Sequence, residues 1–242
     1  MVSLALKPLL MPLLIAQAAS TRLRAPLLPE ADGARQGSIG AGEALRLLIV
    51  GDSSAAGVGV ATQEQAFAGY LTRMLAARLP RRIDWVLHAR TGVTTGQALA
   101  LVQDARPAPA EIAVVVLGVN DIIDQVPVTR ALRQRAALAD WLRAECCVAH
   151  VVFTPLPPID RFPLLPQPLR WVAGSDAQRH DRALAVWAAQ RTDVSHVPIE
   201  VEIGLRTMAA DGFHPGEPVY RTCGETIAAY IADHLIPTEM HP

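Results

Sequence analysis

The chain has 242 residues, 51% of them hydrophobic, which suits one medium-sized domain with a sizeable core and calls for no second one. With 22 basic and 23 acidic residues the formal net charge is -1, and aromatic residues make up 5%, so the sequence lacks both the basic field and the stacking surfaces of a nucleic-acid binder. No nucleic-acid partner is expected, and no feature of the sequence specifies an oligomeric state.

The first residues, MVSLALKPLLMPLLIAQAAS, place Lys7 ahead of an apolar run from Pro8 to Ala16 and a small-x-small triplet, Ala16-Gln17-Ala18, as in a secretory signal. Pro8 and Pro12 within the run, and Arg22 and Arg24 after it, suit equally a retained helix lying on a membrane surface. A third reading packs the arm on the protein's own surface in the cytoplasm. The apolar run of about 12 residues is shorter than the roughly 20 that a bilayer-spanning helix needs. Residues 1–20 are therefore expected to be a signal-like or membrane-associated arm of an exported or membrane-associated protein. Residues 21–43, rich in Pro, Gly, Ala and Arg without periodicity, read as a linker. The domain is expected over 44–237, so a chain beginning near Ala44 would carry everything the fold needs.

Leu47 to Val50 form a short continuous apolar run, the mark of a strand buried on both faces, and this strand ends at Gly51. A helix follows over Ala66 to Leu79, with apolar residues at Phe67, Tyr70, Leu71, Met74 and Leu75. Then come a strand over IDWVLHA, a short helix over TGQALALVQDA, and a buried strand in EIAVVVLGVND whose end carries Gly118, Asn120 and Asp121. An amphipathic helix over TRALRQRAALADWLRAE leads to a strand in HVVFTPLPP. A helix from about Ser175 to Gln190, a strand near Val197 to Ile203 and a helix from Glu217 to Leu235 complete the order. Strands alternating with helices imply a parallel sheet with right-handed crossovers and helices on both faces. The proline-rich connection TPLPPIDRFPLLPQPLRWV is longer than usual and reads as a pocket wall or lid, with Phe162, Leu165 and Trp171 as substrate-binding candidates, although a rigid structural loop explains it as well.

Cys146, Cys147 and Cys223 make an odd count without a Cys-x-x-Cys pair, so neither a disulfide framework nor a zinc site is expected. Buried thiols are the default, with one disulfide to Cys223 left open for an exported protein.

Ser53 follows the first strand at the edge of an open sheet where ligands bind. A phosphate-binding loop is the weaker reading, because Lys7 is the sole lysine and Gly57 and Gly59 are followed by Thr62 where a dinucleotide fingerprint needs a third glycine. A helix-capping serine is the structural alternative. A serine hydroxyl becomes a nucleophile only when a base takes its proton and an acid orients that base. Asp211 and His214, three apart in the loop DGFHP, supply both. Asp193 and His196 share that spacing but lead into a predicted strand, so Asp211 and His214 are preferred. Backbone N–H groups of Ser53 and Gly92 and the side-chain amide of Asn120 would supply oxyanion donors. Asn120 as a turn holder and Gly92 as a turn glycine are the structural alternatives.

The ordered set Gly51-Asp52-Ser53, Gly92, Gly118-Val119-Asn120-Asp121 and Asp211-x-x-His214 resembles the GDSL, or SGNH, hydrolase family from about residue 45 to 235. Ser54 stands where the family name has leucine, and the segment around Gly92 matches through its glycine alone. The resemblance implies a flavodoxin-like three-layer α/β/α sandwich with a central parallel sheet. It also implies a serine esterase that forms an acyl-enzyme and needs no metal or organic cofactor. The substrate would be a small-molecule carboxylic ester, with lipid acyl esters of the lysophospholipid kind favoured by the apolar arm and loop. A lipid- or sugar-binding module on the same fold is the alternative from another class.

Overall fold

A computed structural model describes the protein from residue 6 to residue 236. The order is α1 (Leu6–Arg24), β1 (Gln36–Ile39), β2 (Ala44–Gly51), α2 (Phe67–Arg78), β3 (Arg82–Ala89), α3 (Thr95–Ala105), β4 (Ile112–Val116), α4 (Val119–Ile123), α5 (Val128–Cys146), β5 (His150–Phe153), α6 (Leu169–Ala188), β6 (Val194–His196) and α7 (Glu217–Tyr230). A 3-10 turn, Ile159–Arg161, lies in the proline-rich connection, and α7 runs on into a π-type turn over Ile231–Leu235. The strands form one sheet in the order β1-β3-β2-β4-β5-β6, and every neighbouring pair is parallel except β1 with β3.

Side chains alternate across the sheet and so build two cores. Leu48 and Val50 of β2, with Ala113 and Val115 of β4, pack under α3, α5 and α6 through Ala98, Val102, Leu138 and Leu184. Leu47, Ile49, Ile112 and Val114 face the other way, against Phe67, Leu71 and Leu75 of α2 and Ile227 of α7. The architecture is the expected three-layer α/β/α sandwich. Local chemistry sets its joints: α3 starts on a capping box, in which the Gln97 N–H donates to Thr94 Oγ1 at 3.4 Å and the Thr94 N–H to Gln97 Oε1 at 2.9 Å.

The expected linker over 21–43 is not one. Gln36–Ile39 pairs antiparallel with β3, Ala31 is buried, and Asp32 bridges to Thr62, so the domain reaches back well before residue 44. This strand is polar and exposed, held by backbone pairing along an edge, so it carries no hydropathy signal. The arm forms α1 and lies against α6, with Leu14 buried, Lys7 Nζ on Asp176 Oδ2 at 2.6 Å, and Gln17 bonded to the Gln167 carbonyl and the Leu169 N–H. Among the described residues no helix is long and apolar enough to cross a membrane. Residues 1–5 of the expected arm and residue 237 of the expected domain lie outside the described residues.

The strand expected over Val197–Ile203 is also displaced, since pairing stops at His196. Its apolar and polar residues do alternate, and the Val197 N–H still donates to the Phe153 carbonyl at 3.1 Å, but Pro198 has no N–H to continue the ladder and the segment leaves the sheet. The helix α6 begins at Leu169, six residues before the expected start at Ser175. All three cysteines are free thiols, but of the expected buried set only Cys146 is buried; Cys223 is half-buried, and Cys147 is exposed at the end of α5.

Candidate active site

Gly51 lets the chain turn sharply off β2, because a Cβ there would lie 2.3 Å from Ala55 Cβ and 2.6 Å from the Val116 carbonyl oxygen. The next residues are fixed by short bonds: the Asp52 N–H donates to the Val116 carbonyl at 3.2 Å and the Ser54 N–H to Asp52 Oδ1 at 2.9 Å. Ser53 thus sits rigidly at the carboxyl end of the central strand.

The acid and base come from one tight turn before α7. The Ala209 N–H donates to the His214 carbonyl at 2.9 Å and the Gly212 N–H to the Ala209 carbonyl at 2.8 Å. Gly212 has φ +61°, a left-handed conformation that favours glycine, and a Cβ on it would lie 2.3 Å from Leu164 Cγ. Asp211 Oδ1 accepts the N–H groups of Phe213 and His214, each at 3.0 Å, while Oδ2 lies 2.5 Å from His214 Nδ1. With Nδ1–H donating to that carboxylate, His214 Nε2 is left to accept the Ser53 hydroxyl at 3.0 Å. Burial pushes the Asp211 carboxyl up, but the hydrogen bonds from the His214 ring and from the backbone of His214 and Phe213 outweigh it and hold the group below the usual carboxylate range. The array can move a proton off Ser53 without protonating Asp211.

Asn120 stands on α4, where its Nδ2 donates to the Val93 carbonyl at 3.0 Å and to Asp52 Oδ2 at 3.3 Å. Gly118, with φ +137°, brings α4 close to the core; a Cβ there would lie 2.8 Å from Arg135 Nη2. Asp121 is fully buried and accepts the Thr95 N–H at 3.0 Å, the Thr95 hydroxyl at 2.7 Å and Arg135 at 3.1 Å, which ties α4 to the start of α3. Gly92 lies in an exposed turn with φ +83° and open space around it. Glu30 steadies that turn, accepting both the N–H and the hydroxyl of Thr91 at 2.7 Å, and it is itself paired with Arg35, which donates to the Ala89 carbonyl at 2.8 Å. Nothing in the sequence marks Glu30 or Arg35, because the signal is a contact with a residue 61 positions away.

Asp52 was legible as part of the motif but not as a buried group. It is 2% exposed, and burial pushes its carboxyl up to about 6 against the lowering effect of the Ser54 N–H.

A cavity of about 770 Å³ opens on Ser53 and His214, walled mainly by apolar side chains that include Leu156, Phe162, Met208 and Phe213, and edged by Pro198 to Ile203. Of the expected substrate-binding residues, Phe162 lines it and meets Phe213 edge-on at 5.5 Å. Leu165 packs against the core, and Trp171 is 41% exposed on α6; neither lines the cavity. Trp171 misses the cavity because α6 starts early and carries it to the outer face.

The rival acid and base do not pair with each other. Asp193 is bound by Arg191 and Arg143, and His196 Nε2 instead meets Asp181 Oδ1 at 2.9 Å. A second serine–histidine contact, Ser195 Oγ to His150 Nε2 at 2.8 Å, also engages the Tyr230 hydroxyl at 2.6 Å and does not line the cavity. Among the described residues no group of three His, Cys, Asp or Glu side chains is arranged to hold a metal ion.

A model of the GDSL-like lipase/acylhydrolase family matches residues 49–222. A GDSL-like esterase of Mycobacterium tuberculosis is 28% identical over 207 residues, covering 79% of this chain and 63% of the relative, so the chain spans less than two thirds of that protein's length. Among solved structures, a family 3 carbohydrate esterase of Clostridium thermocellum superposes with a TM-score of 0.62 at 17% identity, over 80% of this chain and 98% of its own. The lipase Lip_vut3 from a goat rumen metagenome gives 0.60 at 17% identity, over 76% and 96%. At these identities the two structures bear on the fold.

Proposed function

The chain belongs to the GDSL-like lipase/acylhydrolase family, and on that premise we propose that it hydrolyses carboxylic esters through a covalent acyl-enzyme on Ser53. The observation that carries the reading is the unbroken chain Asp211 Oδ2, His214 Nδ1, His214 Nε2, Ser53 Oγ, with separations of 2.5 Å and 3.0 Å at its two joints. Ser53 Oγ attacks the ester carbonyl and its proton passes to His214 Nε2. The negative charge that forms on the carbonyl oxygen is met by the N–H groups of Ser53 and Gly92 and by Asn120 Nδ2, whose 3.3 Å contact with Asp52 is the weaker of its two bonds and the one to be released. His214 then gives the proton to the departing alcohol. Water attacks the acyl-enzyme, again losing a proton to Nε2, and the acid leaves as Ser53 regains its hydrogen.

The apolar cavity beside Ser53 supports acyl esters with a hydrocarbon portion, of the lysophospholipid kind, as substrates. Leu9, Leu13, Ile15 and Leu23 project from α1 into solvent and support contact of the protein with a membrane surface, at an exported or membrane-associated location. A fluorophosphonate probe tests the central reading: it should label the wild type at Ser53 and leave Ser53→Ala unlabelled, with ester turnover lost in the same variant. Normal turnover by pure Ser53→Ala protein would overturn it.

A further inference from the structure

The cavity that opens on Ser53 does not stay apolar. Its lining also includes Arg161, Gln178, Asp181 and His196, none of which is hydrogen-bonded to Ser53, Asp211 or His214. His196 closes β6, which lies three strand steps from β2 in the sheet order, so it stands about 14 Å across the sheet from the strand that carries the nucleophile. β4 and β5 lie between β2 and β6, and the cavity is lined there by Val116 at the end of β4 and by Leu156 just past β5.

This far end is a fixed structure. The His196 side chain is 8% exposed, and its Nε2 is held by Asp181 Oδ1 at 2.9 Å, an oxygen that also accepts the Leu156 N–H at 2.9 Å. Orienting Nε2–H toward the carboxylate leaves Nδ1 as an acceptor on a preset ring. Gln178 stands one turn before Asp181 on α6 and adds an amide, and Arg161 adds donors from the 3-10 turn. An anionic group here would face Asp181 and the neighbouring Glu200 and Glu202, and a cationic one, though drawn by those carboxylates, could accept nothing from the donors of Arg161 and Gln178. A neutral hydroxyl, donor and acceptor in one atom, can pair with both His196 Nδ1 and these donors.

We propose that this end of the cavity is a polar subsite for a hydroxyl-bearing end of the substrate, separated from the ester carbonyl by an apolar chain. The proposal rests on the esterase reading and deepens it: the substrate class is an ester whose hydrocarbon portion ends in a hydroxyl, on either its acyl or its alcohol half. A chain with a plain methyl end would bring hydrocarbon against His196 Nδ1, with no partner to replace water.

The test compares nitrophenyl esters of medium-chain acids with and without a terminal hydroxyl. A parallel pair of acetate esters carries the same two chains on the alcohol half, and nitrophenyl acetate reports the reacting groups alone. The hydroxyl should raise kcat/KM by about three- to tenfold, the span of one net hydrogen bond, mainly through KM, in one of the two series; the series that responds identifies the half that enters the subsite. His196→Leu should reverse the preference toward the plain chain. Gln178→Leu, a change at an exposed position that leaves folding alone, should shrink it. Equal kcat/KM for plain and hydroxyl chains in both series, or variants that change both chains in the same proportion, would overturn the subsite while nitrophenyl acetate turnover keeps the esterase reading. Loss of acetate turnover together with failure of Ser53 to take the phosphonate would take down the esterase reading and the subsite with it.

Discussion

Asp52 and Asp211 are both buried beside Ser53, and burial raises both, yet only Asp211 receives enough hydrogen bonds to be pulled back below the usual range. Asp52 stays up at about 6 against an ordinary 3.8, so between those values the folded protein holds a proton that the unfolded chain has released. Stability then falls as pH rises through this window, by up to about 3 kcal/mol. Asp52→Asn keeps an oxygen to accept the Ser54 N–H but cannot ionise, so its urea-unfolding free energy should lack this decline between about pH 4 and pH 6. Parallel curves for the two proteins would show that Asp52 is not raised. Asn120 offers a second test at this scale, because its amide bonds both the Val93 carbonyl and Asp52 in the free protein. Asn120→Ala should lower kcat by roughly 10²- to 10³-fold with little change in KM if the amide serves the oxyanion, and should cost about 1 kcal/mol of stability for the lost bond. A shifted unfolding midpoint with normal kcat would remove Asn120 from the site.

The nucleophile and its base sit on loops 161 residues apart, and the packing of α2 on α7 sets their separation. A Cβ on Gly224 of α7 would lie 2.6 Å from Tyr70 Cβ, and the Tyr220 hydroxyl donates to the Val58 carbonyl at 2.6 Å, so the helices meet closely behind the site. Gly59 is tighter still: its φ is +108° and an added Cβ would lie 2.3 Å from the Pro215 carbonyl oxygen, one residue past His214. Gly59→Ala should therefore push the His214 turn from the Ser53 turn, costing about 1 to 3 kcal/mol of stability and lowering kcat without touching a reacting group. Unchanged kcat in the folded fraction would show that the two loops move independently. Glu30 acts on the third loop. Glu30→Ala should free Thr91 and loosen the Gly92 turn, with kcat on a short ester falling about tenfold while KM and the unfolding midpoint move little.

The interior of the molecule was legible in the sequence because Leu47–Val50 and Ile112–Val115 are buried on both faces and read as unbroken apolar runs. Ser53 and Asn120 were legible as candidates because each follows an unbroken apolar run, and Asp211 and His214 because they stand three apart in one glycine-containing loop. What failed was whatever depends on a distant partner: the Glu30 contact with Thr91, the pairing of His196 with Asp181, and the alternation of Val197–Ile203, which has the period of a strand but leaves the sheet after the one bond from Val197. The polar Gln36–Ile39 strand belongs to this group, and its place at the rim of the sheet has a consequence for the company the protein keeps. On one side β3 is bonded to β2, and on the other β1 covers it residue for residue from Ile83 to Val86. A chain cut to begin at Ala44 would present that flank as a row of unpaired amides and carbonyls, a ready template for a second copy. Such a protein should gain apparent mass with concentration in sedimentation or light scattering, whereas a chain beginning at Ala25, which keeps β1, should match the full chain. If the shorter chain stayed as dispersed as the longer, the four-residue rim would not be what keeps these molecules apart.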